Sequence, residues 1–174
     1  MRILLLLLIC SLSSPAHALD ISNFRSGLAC TNSSPGGADE GWICHATQDI
    51  HITDQGRCSY AGKDRLCTWA GFEFDYRNAA AGDKLDCTVE TSRPIAFGNP
   101  NEQLAQDSSL QTFAIDLNPG SGHLYNPQYF TFVAAAPDAE KLVNTGRSSY
   151  QGKQVFEYVY RLHYPLLPDR GDGV

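Results

Sequence analysis

The sequence predicts an all-β domain: a disulfide-stapled antiparallel β-sandwich, immunoglobulin-like or jelly-roll-like in architecture. Three observations carry this. Apolar residues recur at every second position in several short runs. Clusters of Gly, Pro, Asn and Asp punctuate those runs, giving about eight or nine short strands. No stretch shows the apolar period of an amphipathic helix. The immunoglobulin family itself is not implied. Trp69 falls between Cys44 and Cys87, but that interval is too short for the usual inter-sheet disulfide.

Residues 1–18 read as an export signal. Arg2 precedes the apolar run 3–10, and Ala16-His17-Ala18 is a small-x-small cleavage site. The run is too short to span a bilayer. Ile9 before Cys10 argues against lipid attachment. The mature chain is therefore expected to begin at Leu19, in the periplasm or outside the cell, with no membrane insertion. Residues 19–164 form one domain and residues 165–174 a flexible tail. Arg2 is the only charged residue removed, so the formal charge moves from −6 to −7. An acidic chain without a basic cluster excludes nucleic acid as a natural partner.

The stretch 19–41 is polar and punctuated, with Asn32-Ser33-Ser34-Pro35-Gly36-Gly37 reading as loop and Asn32-Ser33-Ser34 matching a glycosylation sequon. Residues 41–53 read as strand, and Asp54-Gln55-Gly56 turns the chain into a hairpin. With Gly62-Lys63 at its tip, Tyr60 faces Arg65, Ser59 faces Leu66 and Cys58 faces Cys67. Residues opposed at a non-hydrogen-bonded position lie about 4.5 Å apart at Cα, within disulfide reach. Cys58–Cys67 is thus the expected bridge. Cys44–Cys87 is the preferred second pair and Cys30–Cys44 its rival. The remaining thiol is expected to be buried and inert.

Phe72, Phe74 and Tyr76 alternate with Glu73 and Asp75, as on a half-buried strand. Cys67 and Trp69 have the opposite parity. A bulge at Ala70-Gly71 would reconcile the two sets; the alternative is a strand buried on both faces. Residues 84–91 form the next strand, broken by Pro94, Gly98 and Pro100, with one helical turn in 101–109. A strand follows at 110–117 and a turn at 118–122. Short strands at 123–125 and 129–134 flank Asn126-Pro127. Residues 141–145 form a strand and 146–153 a turn. Residues 154–164 have the cleanest two-residue period in the chain and are the candidate edge for pairing with another chain.

Catalytic signatures are missing. There is no Gly-x-Ser-x-Gly elbow, no His-Glu-x-x-His, no Cys-x-x-Cys and no phosphate-binding glycine loop, so no catalytic residue and no cofactor is assigned. His45, Asp49 and His51 share parity but match no common ligand spacing, and no metal site is assigned. Glu73 and Asp75 read as the solvent side of their strand. The stretch 122–130, GHLYNPQYF, is the most suggestive. It gathers His123, Tyr125, Asn126, Gln128 and Tyr129 around a proline, and aromatic faces beside amides suit sugar or peptide ligands. His123, Tyr125, Asn126 and Tyr129 are the candidate ligand contacts. Arg170-Gly171-Asp172 in the tail carries no weight. The expected function is an exported, non-enzymatic binding or structural module for a polysaccharide or a partner protein. A secreted hydrolase acting on envelope or extracellular polymers, and an inhibitor of a secreted enzyme, are the alternatives.

Overall fold

The structure, a computed structural model, describes residues 18–31, 41–53, 56–60, 63–99, 102–131 and 142–165. The expected export signal up to residue 17, the sequon, the tail beyond residue 165 and the Arg-Gly-Asp tripeptide lie outside them. Ten strands are present among the described residues, with no helix: β1 Asp20–Thr31, β2 Gly41–Ala46, β3 Asp49–His51, β4 Gly56–Tyr60, β5 Lys63–Ala79, β6 Lys84–Asn99, β7 Glu102–Asp116, β8 Gly120–Thr131, β9 Leu142–Tyr150 and β10 Lys153–His163. They form two five-stranded sheets. The first runs β2-β1-β5-β4, with β8 also paired to β5; the second runs β3-β10-β9-β6-β7. Every pairing is antiparallel except the short parallel contact of β3 with β10.

The β5 strand organises the first sheet. Its residues 70–77 pair with β1 on one side, and β8 runs along the other. Both registers are regular through Ala70 and Gly71, so no bulge lies there. Cys67, Thr68, Ala70, Phe72, Glu73 and Phe74 are all buried. The strand is covered on both faces, which is why its two parities look equally apolar in sequence.

Ala70, Phe72, Phe74 and Tyr76 face the second sheet and meet Leu85, Cys87, Leu142, Phe156, Tyr158, Tyr160 and Leu162 in one cluster. The ring of Phe156 packs on Phe72 and Phe74 at 5.2 and 5.3 Å. The hydroxyls of Tyr158 and Tyr160 are hydrogen-bonded, as burial demands. The Tyr160 hydroxyl donates to the Gly71 carbonyl, and Gln128 Nε2 donates to the Tyr158 hydroxyl at 2.7 Å. Burial pushes both phenols well above the ordinary tyrosine range.

Several elements depart from expectation. The polar stretch ahead of residue 32, where no strand is expected, contains β1, and the loop expected at 32–37 lies outside the described residues. A register shift between Ser22 and Arg25, with Asn23 at φ 53°, breaks its alternation and hid it. Pro94 lies inside β6, past the end of the β6–β9 pairing at Thr91 and in a stretch irregularly paired to β7. The helical turn expected at 101–109 is replaced by the first half of β7, from Glu102. Asn126-Pro127 does not turn the chain, because β8 is one strand through both. Among the described residues β8 pairs with β5 alone, and a strand paired on one side tolerates proline. Residues 132–134, expected in strand, are not described. The turn expected at 146–153 shrinks to Gln151-Gly152, both at positive φ, which is the backbone a two-residue hairpin requires. The final strand, β10, has its last residues 161–163 paired to β3.

The cysteines divide the same way. Cys58 and Cys67 are bridged, but in a register displaced by two. Cys58 faces Arg65, and the bridge runs diagonally with Cα atoms 6.0 Å apart. Cys44 bonds Cys30 rather than Cys87, across the β1–β2 ladder. Cys87 is on the intersheet side of β6, buried, with its sulfur 3.1 Å from Ser148 Oγ. Burial pushes that thiol above its ordinary range, which suits an inert core position.

Candidate functional site

Alternation along β5 sends Trp69, Gly71, Glu73 and Asp75 to the face turned away from the second sheet. Directly opposed partners share a face. Tyr129 therefore lies beside Trp69, Tyr125 beside Glu73 and His123 beside Asp75, all on this outer face. Arg25 of β1, opposite Glu73, lies there too. Asn126 opposes Phe72 and so belongs to the core face, apart from the other three candidate contacts. Three of the four residues singled out from sequence thus share a surface, and Asn126 does not.

At one end of the face, Asp75 is the hub. Asn23 Nδ2 donates to its Oδ2 at 2.7 Å, and His123 Nδ1 lies 2.8 Å from its Oδ1. The hydrogen bonds from Asn23 and then His123 hold the Asp75 carboxyl below its usual range. At the other end the Trp69 and Tyr129 rings meet edge to face, centroids 5.3 Å apart.

Between them sits Glu73, only 5% exposed. A buried carboxylate needs partners. Its Oε1 takes an ion pair from Arg25 Nη1 at 3.2 Å, and its Oε2 accepts the Ile43 backbone N–H at 2.9 Å. His123 Nε2 is 3.9 Å from the same Oε2. Burial, and then the Glu73 charge, push the Tyr125 phenol above its ordinary range. Sequence reasoning placed Glu73 in solvent. It missed the cover, which comes from a strand distant in the chain.

That cover is β2. The register between β1 and β2 slips between Leu28 and Ala29, leaving Cys44 as the extra residue. Beyond this bulge β2 bends over the outer face. Gly41 comes so close to the Tyr125 ring that a side chain there would collide with it. Ala29 and Ile43 are buried at 3% and 0%, yet neither belongs to the intersheet cluster.

A further cluster of titratable groups lies on the second sheet. Asp49 Oδ1 is 2.9 Å from His163 Nε2, and Asp49 Oδ2 is 3.3 Å from Arg161 Nη1. The His51 ring stacks on His163 with centroids 4.7 Å apart. His45 is on β2 of the first sheet, so the sequence trio of His45, Asp49 and His51 does not assemble. Among the described residues no group of three or more His, Cys, Asp or Glu side chains is placed to hold a metal ion.

A scan against protein-family models finds no match to this chain, and a search of curated proteins finds none either.

Two outcomes follow from this geometry. Glu73→Ala strips the buried Ile43 N–H of its acceptor and should destabilise the domain by about 1–3 kcal/mol in urea unfolding. Glu73→Gln, which keeps an acceptor oxygen, should lose less; equal losses would contradict the assignment. The second concerns acid. Because the folded state lowers the Asp75 pKa below its ordinary 3.8, the stabilisation is present above that value and lost as pH falls through the folded one. The stability gap between wild type and Asp75→Asn should therefore be larger at about pH 6 than at about pH 2, measured by urea unfolding. A gap independent of pH would count against the Asn23–Asp75–His123 network.

Proposed function

We propose that this chain is an exported, non-enzymatic binding module whose outer β5–β8 face takes a neutral glycan. The observation that carries the reading is an asymmetry between the sheets. The outward positions of β5 and β8 hold Trp69 and Tyr129 at one end, Tyr125 beside Glu73 in the middle, and Asp75 with His123 at the other end. On the second sheet the outward positions hold an ion-paired ladder, with Arg147 bonded to Glu157 at 2.7 Å and to Glu90 at 3.2 Å. Aromatic rings offer flat apolar area for the C–H faces of a sugar, and carboxylate, amide and imidazole groups beside them match its hydroxyls. Trp69 and Asp75 are six residues apart on one strand, a span of about 20 Å; with β2 over the middle, the Trp69–Tyr129 and Asp75–His123 ends are two separate contacts for one chain-like ligand.

Charge narrows the class. Glu73 is buried and paired with Arg25, so Asp75 is the carboxylate the face presents; with a chain of formal charge −6 it disfavours an anionic polymer. The compartment agrees. Two disulfides, Cys30–Cys44 and Cys58–Cys67, are compatible with an oxidising, extracellular setting. No helix among the described residues is long and apolar enough to cross a membrane. The export signal read from residues 1–18 supplies the route.

The test is retention of the purified protein on a panel of insoluble neutral polysaccharides. At least one glycan should retain it. Tyr129→Ala should weaken that retention about tenfold or more while far-UV circular dichroism stays unchanged. Capture of a protein partner in place of any glycan, or full retention by Tyr129→Ala, would overturn the reading.

A further inference from the structure

We propose that the Cys30–Cys44 disulfide is a thiol-cleavable clasp: it holds β2 across the outer face of the first sheet, and its reduction uncovers Glu73 and Tyr125. The consequence for ligand rests on the glycan reading above; the clasp itself does not.

The geometry points to this in three ways. First, β2 lands in the middle of the face. The Ile43 N–H bonds Glu73 Oε2 at 2.9 Å and Gly41 lies against the Tyr125 ring, so the cover separates the Trp69–Tyr129 end from the Asp75–His123 end. Second, the bridge sits where β2 bends. Cys44 is the extra residue of the bulge, and its partner Cys30 lies in the β1 segment that runs beyond the last β1–β5 pair, Leu28–Ala70. A bulge interrupts the ladder at that point, so the covalent link supplements backbone pairing where pairing is weakest. Third, the two disulfides differ in access. Cys44 is exposed and Cys30 half-buried, whereas Cys58 and Cys67 are 7% and 0% exposed. Thiol–disulfide exchange requires the attacking thiolate to reach a sulfur, so a reductant in solution meets the Cys30–Cys44 bridge first.

The reaction is ordinary exchange with a small thiol such as glutathione. Its thiolate attacks Cys44 Sγ, forming a mixed disulfide and releasing Cys30 as a thiolate that takes a proton from water. A second thiolate attacks the sulfur of the bound small thiol. It forms the oxidised dimer and releases Cys44, which is protonated in turn. Two electrons pass from the two small thiols to the cystine. Without the link, only the Ile43–Glu73 hydrogen bond, the ladder to β1 and the burial of Ile43 and Ala29 hold β2 down, so reduction shifts a population toward an open form in which the Ile43–Glu73 bond is broken, rather than unfolding the strand outright. In the open form the two ends of the face become one continuous surface.

Hydrogen exchange reads the clasp with no ligand present. Purified protein is treated with reduced glutathione, and amide exchange is followed by mass spectrometry together with the state of each disulfide. Exchange at the Ile43 amide should accelerate about tenfold or more while the β5–β8 amides hold their protection. The Cys30→Ser/Cys44→Ser double variant should show the same acceleration without reductant. Unchanged Ile43 exchange after cleavage of Cys30–Cys44 would overturn the proposal. So would cleavage of Cys58–Cys67 first, or loss of protection throughout the domain. Should the double variant fail to fold, the glutathione experiment on the unaltered protein still decides. If exchange accelerates but no glycan is retained in either redox state, the clasp stands and the glycan reading falls.

Discussion

The constraint on which the rest depends is the double-sided burial of β5. A strand covered on one face needs only alternation. This one must satisfy two environments at once, and its composition reflects that. Phe72, Phe74 and Tyr76 fill the space between the sheets, where Phe156, Tyr158 and Tyr160 of β10 interleave with them. The opposite parity carries a glycine, a tryptophan and two carboxylates, one of them buried. Burying Glu73 is tolerable only because Arg25 and the Ile43 amide reach it. The position of β2 and the burial of Glu73 are therefore one fact seen from two sides. Each stabilises the other, and the Cys30–Cys44 bond holds the arrangement in register.

Much of the sandwich was legible in the sequence because alternation survives wherever a strand has one wet face. The runs that became the cores of β6, β7 and β10 are of that kind, as the burial along β10 illustrates. What stayed hidden has specific causes. In β1, the shift near Asn23 moves Phe24 out of phase with Ile21, so a paired strand shows no alternation. In β6 and β8, proline suggested a break, yet each proline lies where pairing is one-sided or irregular. The hairpin between β4 and β5 satisfied the disulfide diagonally, a solution that strict cross-strand opposition did not anticipate. Cys44 pairs locally because the bulge displaces it toward Cys30, and Cys87 is committed to the core on β6.

The candidate site shows the same division between local and distant information. Period-two spacing alone puts His123, Tyr125 and Tyr129 on one face once β8 is a continuous strand, and the same spacing sends Asn126 to the other. Asp75 and Trp69 join them only through pairing with β5, which no reading of residues 122–130 could supply. The separation of Asp49 and His51 from His45 has a similar origin: the chain changes sheets between β2 and β3, which no parity count detects.

The two outer surfaces thus invite different tasks. An Arg–Glu ladder is suited to contact with water, and an aromatic surface that also carries a carboxylate and an imidazole is suited to contact with a ligand that has both apolar faces and hydroxyls. The central claim is that the second kind of surface is the working one. It is tested most directly by an NMR titration of the isotope-labelled protein with a soluble neutral oligosaccharide. The account predicts shift changes at Trp69, Asp75, His123, Tyr125 and Tyr129, with Arg147 and Glu157 silent. Changes centred on the Arg147 ladder, or none across a broad set of neutral sugars, would contradict it.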